Sequence, residues 1–246
     1  MNLNNINGIS CYCATYGRPK SVIENSIQCF LEQKWQGSKE LIIFNDCKYQ
    51  EFIFDHPEIK IINSDTRIKK LGQKFNETVD FCQYDFLATW EDDDTFLNNR
   101  LDYSMNNLYK GLIFHTYDGF IEKAEKNISQ TTGYFHSTHI FFKELFLDVG
   151  KYEEKDRGDI DVLLINKLKN KIGNYSQTTQ RKNIFYIYSW LNNSYHTSSS
   201  NLEPGKISEQ VEKQTLLKID QGLIETGKIY LEPKLRYDFY QYIPDA

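Results

Sequence analysis

The chain has 246 residues, 40% of them hydrophobic and 26% charged, with a formal net charge of −5. That length and apolar content suffice for an α/β domain with a substantial core, and the acidic balance excludes a protein whose whole surface is a nucleic-acid footprint. No window approaches the roughly 18 consecutive apolar residues of a membrane span, so none is expected.

Residues 9–15 form an apolar run of strand formers, followed by the breaker Gly17-Arg18-Pro19 and a helical pattern over 21–33 with Val22, Ile23, Ile27, Phe30 and Leu31 on one face. Residues 40–44 repeat a fully apolar strand ending at Asn45-Asp46, and 59–62 give a third. An amphipathic helix over 71–82 leads to a buried strand at 85–90, which runs straight into Glu91, Asp92, Asp93 and Asp94. Strands alternating with helices predict a parallel sheet, and the acids then stand at its carboxyl edge, where open α/β sheets bind ligands.

Beyond Arg100 the pattern changes. Antiparallel strands are expected at 111–117, 119–123 and 133–143, with a short helix at 143–147, a helix at 158–170 and a strand at 183–189. A polar helix over 203–226 and a tail strand at 227–231 follow. The expectation is a single domain over 1–246 whose halves, about 1–100 and about 101–200, bind different things, with a C-terminal helix and tail over about 201–246.

Adjacent carboxylates repel one another and call for a cation at the mouth of a sheet. Magnesium or manganese, held by one or two carboxylates plus phosphate oxygens, is the usual answer for a nucleoside-diphosphate substrate.

Several motifs resemble the family 2 glycosyltransferases with the GT-A fold, particularly a bacterial and phage-encoded branch. Thr15-Tyr16-Gly17-Arg18-Pro19 is similar to that family's nucleotide-contacting turn, and Asp46 stands where its aspartate receives the base. Phe54-Asp55-His56-Pro57-Glu58-Ile59-Lys60-Ile61-Ile62-Asn63 and Leu71-Gly72-Gln73-Lys74-Phe75-Asn76 resemble two further stretches of the branch, and Trp90-Glu91-Asp92-Asp93-Asp94 resembles its version of the DxD motif. The resemblance implies a GT-A, Rossmann-like, mostly parallel sheet with a smaller antiparallel acceptor-side region. It implies donor contacts from Thr15, Tyr16, Arg18, Asp46, Gly72, Lys74, Asn76, Glu91 and Asp92, and a Mn²⁺ or Mg²⁺ site from Asp92, Asp93 and Asp94. Two residues depart from the pattern: Phe75 replaces an arginine and Glu91 an aspartate.

In the acceptor half, Gly150-Lys151-Tyr152 and Arg157-Gly158-Asp159 resemble the family's turn and the run before its helix, making Asp159 the candidate base and Asp161 the reserve. Tyr186-Ile187-Tyr188-Ser189-Trp190 and the segment holding His196 match the branch as well, which implies His196 as an extra metal or diphosphate ligand. Lys69, Lys70 and Lys74 could help neutralise phosphate.

The implied activity is metal-dependent, inverting transfer from a nucleoside-diphosphate sugar, UDP first, to an acceptor hydroxyl on a glycan, a protein or a modified base in phage DNA. A non-catalytic sugar-nucleotide-binding protein, motivated by Phe75 and Glu91, and a nucleotidyltransferase are the competing readings. The five cysteines are odd in number, lack CxxC spacing and read as reduced core residues. His136 and His139 are expected on opposite faces of one strand, hence not a metal pair. Residues 1–7 lack the plan of a signal peptide, so a cytoplasmic location is expected, in the host if the chain is phage-encoded.

Overall fold

The computed structural model describes residues 7–156, 158–191 and 205–243. The first half runs β1 (Ile9–Thr15), α1 (Lys20–Leu31), β2 (Lys39–Asn45), β3 (Gln50–Ile53), β4 (Ile59–Asn63), α2 (Leu71–Asp80) and β5 (Phe86–Thr89). Strand alternation sorts its apolar side chains to two faces. Cys11, Cys13, Leu41, Ile43, Phe86 and Ala88 pack with Ile23, Ile27 and Phe30 of α1 on one side. Tyr12, Ile42 and Leu87 pack with Phe75 and Val79 of α2 on the other.

The second half continues with β6 (Thr95–Phe96), α3 (Arg100–Asn106), β7 (Ile113–Thr116), β8 (Asp118–Ala124), β9 (Asn127–Thr132), a 3-10 turn (His136–Thr138), β10 (Ile140–Phe142), α4 (Lys143–Asp148) and α5 (Ile160–Ile172). It ends with β11 (Ser176–Gln177), β12 (Tyr186–Ser189), α6 (Ile207–Asp220) and β13 (Gly227–Tyr230). The main sheet has seven strands in the order β11-β7-β10-β5-β1-β2-β4. Strands β5, β1, β2 and β4 are mutually parallel, and β10 enters antiparallel to both β5 and β7. A four-stranded sheet, β6-β12-β8-β9, and a pair, β13-β3, complete the structure.

Four expectations change. The strand expected over 133–143 is interrupted, because the chain turns through His136–Thr138 before only three residues join the sheet. The helix expected over 203–226 is confined, among the described residues, to Ile207–Asp220. Strand β3 was not anticipated; it is made by parallel pairing with β13, far away in sequence. Strand β9 was not anticipated either, and it pairs antiparallel with β8.

Helix α6 lies over the turn between β1 and α1. Gly17 there has φ +58°, and a Cβ on it would stand 2.3 Å from Cγ2 of Thr215, so the position needs glycine on both counts. Gln50 braces the same turn, its Nε2 donating to the carbonyls of Arg18 (2.8 Å) and Glu225 (2.9 Å).

Candidate active site

The carboxyl ends of β1 and β5, the start of α2, the first turn of α5, the end of β12 and the start of α6 surround a cavity of about 500 Å³. It is walled on one side by Arg18, Arg67, Lys69 and Lys74, on another by Tyr134, Phe135, Tyr188 and Trp190, with Glu91, Asp92, Asp93 and Asp161 among its polar lining.

The acidic run divides because successive residues leaving a strand point different ways. Asp92 turns to β1 and α1: it accepts from Thr15 Oγ1 at 2.6 Å and from Arg18 Nε and Nη2 at 2.8 Å each. Both its oxygens are thereby engaged, so the expected metal ligand Asp92 is replaced in the metal-competent group by Glu91. Glu91, Asp93 and Asp94 each bring a carboxylate oxygen within 4.8 Å of one another. Arg18 also reaches Asp93 at 2.9 Å, which pins one edge of the triad.

Asp94 is buried and accepts from the Tyr186 hydroxyl (2.5 Å) and the Ser189 N–H (3.0 Å). Burial, then the charges of Asp93 and Glu91, hold its carboxyl well above the usual carboxylate range. Glu91 behaves oppositely. Its burial opposes ionisation, but the hydrogen bond and charge of His136, with bonds from Asp94 and Ser137, hold its carboxyl down at about 2. These are hard oxygen donors carrying more negative charge than their neighbours neutralise, which is the donor set a Mg²⁺ or Mn²⁺ ion suits.

Behind Glu91 runs a buried chain of donors. His136 Nδ1 lies 3.1 Å from Glu91 Oε1, His136 Nε2 is 2.6 Å from the Tyr152 hydroxyl, and that hydroxyl is 2.6 Å from Tyr12 Oη. All are satisfied when Nδ1–H donates to Glu91 and the Tyr152 and Tyr12 hydroxyls donate along the chain. Phe75 fills the centre of this group, with ring centroids 5.1 Å from Tyr152, 5.4 Å from His136 and 6.0 Å from Tyr12. The missing arginine is thus replaced by aromatic packing.

His136 and His139 do not lie on opposite faces of a strand, because the turn between them brings their rings to 6.3 Å. His136 lines the cavity, whereas His139 stacks on His115 at 4.2 Å.

Asp46, expected to receive the base, is fully buried with both oxygens occupied. Arg67 Nη1 donates to them at 2.8 and 2.9 Å, the Ile68 N–H at 2.8 Å and Lys74 Nζ at 2.6 Å. Lys74 also donates to the Thr15 carbonyl at 2.5 Å, and the Arg67 guanidinium lies 3.5 Å over the Tyr16 ring. Gly72 and Asn76 serve the scaffold. A Cβ on Gly72 would stand 1.9 Å from the Glu153 carbonyl, and the Asn76 amide exchanges two hydrogen bonds with the Tyr152 backbone, at 3.0 and 3.1 Å.

On the acceptor side Asp159 occupies the N-cap of α5, while Asp161, within the first turn, lines the cavity. Burial raises the Asp161 carboxyl above its ordinary value. His196 lies outside the described residues.

Sequence reasoning missed Arg67, His136, Tyr152 and Tyr186 as members of the site. Arg67 and His136 are lone polar residues without a local motif. The two tyrosines stood in segments that resemble the family's, but were given no role of their own there. Arg100 was missed too: it is wholly buried, 4.6 Å from the Trp90 ring and 4.1 Å from Phe96, donates to the Thr89 carbonyl and ties down the strand end that carries the acids.

A mostly parallel sheet with an antiparallel strand inserted beside its centre, a nucleotide-sized cleft at its carboxyl edge and acids at the end of β5 make this a GT-A glycosyltransferase fold. Solved structures share it. The chain is similar over 96% of its length to S. aureus TarS 1-349 in complex with UDP-GlcNAc, covering 69% of that chain with a TM-score of 0.61 at 11% identity. It is similar over 87% of its length to TarS 1-349 in complex with UDP, covering 72% of it with a TM-score of 0.56 at 11% identity. Against S. aureus TarS in a longer form it aligns over 85% of its length and 43% of that chain, with a TM-score of 0.51 at 12% identity. At these identities the likeness is one of fold. No protein-family model and no curated protein matches the sequence. Among the described residues no helix is long and apolar enough to cross a membrane.

Proposed function

We propose that the chain transfers a sugar from a nucleoside-diphosphate sugar, UDP first, to an acceptor hydroxyl with inversion at the anomeric carbon. The observation that carries this reading is the single cavity in which the acids at the end of β5, a cationic wall and Asp161 meet. Its volume of about 500 Å³ suits a nucleotide sugar.

Arg67 and Tyr16 form a stacked pair whose open side takes the nucleobase, and Lys69 with Arg18 faces the diphosphate. Glu91, Asp93 and Asp94 would hold a Mg²⁺ or Mn²⁺ ion, which when bound neutralises the leaving diphosphate. Asp161 accepts the acceptor's hydroxyl proton as that oxygen bonds to the anomeric carbon. The bond from that carbon to the diphosphate oxygen breaks, and its electron pair leaves with the nucleoside diphosphate. The raised Asp161 carboxyl supports this role, since a more basic carboxylate takes the proton more readily. His136 positions Glu91 through its Nδ1, and Tyr186 positions Asp94.

The test is a manganese-supplemented hydrolysis screen over UDP-, GDP- and other nucleotide sugars, with Asp93→Ala, Asp161→Asn and Asp159→Asn. One donor is expected to release nucleoside diphosphate, Asp93→Ala to abolish release, and Asp161→Asn to impair transfer more than Asp159→Asn. Donor binding without turnover would favour a binding protein, and inert, unbound donors would refute the reading.

A further inference from the structure

Resting on that reading, we propose that the acceptor is an uncharged carbohydrate, laid along a row of rings formed by Trp190, Tyr188, Phe135 and Tyr186. The row is continuous: Trp190 to Tyr188 is 5.6 Å between centroids, Tyr188 to Phe135 5.9 Å and Phe135 to Tyr186 4.9 Å. All four rings line the cavity. The row starts at the surface, where Trp190 is 39% exposed, and is backed at its inner end by the buried Tyr186, whose hydroxyl donates to Asp94 at 2.5 Å. A ligand lying on it is therefore led to the reacting centre.

The chemical class follows from how charge is divided. The lining cations, Arg18, Arg67, Lys69 and Lys74, all belong to the donor half. Among the described residues, the lining beyond position 100 supplies no lysine or arginine; its charge-bearing groups are His136, which bonds Glu91, and Asp156 and Asp161. Asp156 is engaged by Ser208, whose hydroxyl donates to it at 2.9 Å. Of the nearby cations, Lys169 lies 5.2 Å over the Tyr134 ring without lining the cavity, Arg236 pairs with Glu122 at 2.7 Å, and Lys218 of α6 interacts with Arg18 and Asp93 on the donor side.

A phosphate-bearing acceptor would meet Asp161 and the triad with the donor's diphosphate already on the cations, so like charges would oppose it. A nucleic acid would need basic groups along its path, and the acceptor-side lining of this cavity supplies no lysine or arginine among the described residues. A pyranose carries no charge and presents an apolar C–H face with a hydroxyl rim. Aromatic rings with polar tips match such an amphipathic surface, and a partly exposed tryptophan gains most from being covered.

The experiment uses the full chain with Mn²⁺ and has two readouts. Quenching of tryptophan fluorescence by neutral disaccharides (cellobiose, chitobiose, lactose, maltose) reports the track with or without turnover. Acceptor-stimulated release of nucleoside diphosphate reports it in catalysis. At least one neutral disaccharide is expected to act on both, while sugar 1-phosphates and DNA containing hydroxymethylcytosine act on neither. Trp190→Ala is expected to raise the KM for that disaccharide about tenfold more than the KM for donor, with Trp190→Phe restoring much of it. Silence toward every neutral disaccharide, stimulation by the phosphorylated or nucleic-acid probes, or an acceptor KM untouched by Trp190→Ala would overturn the proposal. Loss of donor hydrolysis with disaccharide quenching intact would instead count against the transferase reading and leave the carbohydrate track standing.

Discussion

Replacing Asp46 by asparagine should unfold the protein more than it weakens donor binding. The change keeps the shape of the side chain and removes the charge opposite Arg67 and Lys74, which approach it at 2.8 and 2.6 Å. Lys74 is buried, and burial already lowers its pKa, with Asp46 the main group opposing that shift. Taking away one partner of a buried ion pair costs about 3–5 kcal/mol, because the other charge stays out of water uncompensated. For a chain of this size each kcal/mol moves Tm by about 2–4 °C, so a fall of about 6–20 °C is expected. Thermal and urea unfolding of the native protein, Asp46→Asn, Lys74→Met and the double variant provide the measurement. The double variant should lose less than the sum of the singles, by about 1–3 kcal/mol, since both charges leave together. A loss below about 1 kcal/mol for Asp46→Asn, with a marked fall in nucleotide affinity, would refute this reasoning and return Asp46 to direct contact with the base.

Mn²⁺ at about one hundred times its Kd should stabilise the protein by about 2.7 kcal/mol, a Tm gain of about 5–10 °C seen by scanning fluorimetry; Asp93→Asn should remove the gain. In chelator, Asp94→Asn should leave Tm equal or higher while also removing the Mn²⁺ response, because the raised Asp94 carboxyl is a burden whose stability contribution falls as pH rises through its folded pKa. Glu91 has the opposite sign: with its pKa lowered from 4.5 to about 2, its contribution is complete above pH 4.5 and lost as pH falls toward 2, so chelated native protein should lose stability across that window and Glu91→Gln should not. Phe75→Arg should destabilise by about 3 kcal/mol or more in urea unfolding, since it puts a cation among Tyr12, Tyr152 and His136. Gly72→Ala should cost about 1–3 kcal/mol in the same assay, because backbone at Glu153 must move to admit the methyl group.

The parallel half was legible because its signals are local. Short apolar runs at 9–15, 40–44 and 85–90, and the turn at Gly17-Arg18-Pro19, state strand, helix and edge within a few positions. The acidic run was placed at the right edge for the same reason. Which acids face which way was not legible, because Asp92 is claimed by Arg18 and Thr15 from another strand end. Nor was β3 legible, since Gln50–Ile53 becomes a strand only against β13. His136 was weighed only against His139, because its meaning lies in partners 45 and 16 positions away. Periodicity records what a residue's own element buries, whereas a site is set by what other elements bring to it.

The shared amide of Gln50 has a consequence for synthesis. It reaches the Arg18 carbonyl 32 positions before it and the Glu225 carbonyl 175 positions after it, beside a strand pair that cannot exist until residues 227–230 have been made. Contacts of such long sequence separation form late, because loop closure must precede them. A nascent chain would therefore hold its acids, cations and rings with that turn still unbraced until residues 227–230 have been made. On the proposed reading, donor capture should switch on as a nearly single event when β13 docks on β3.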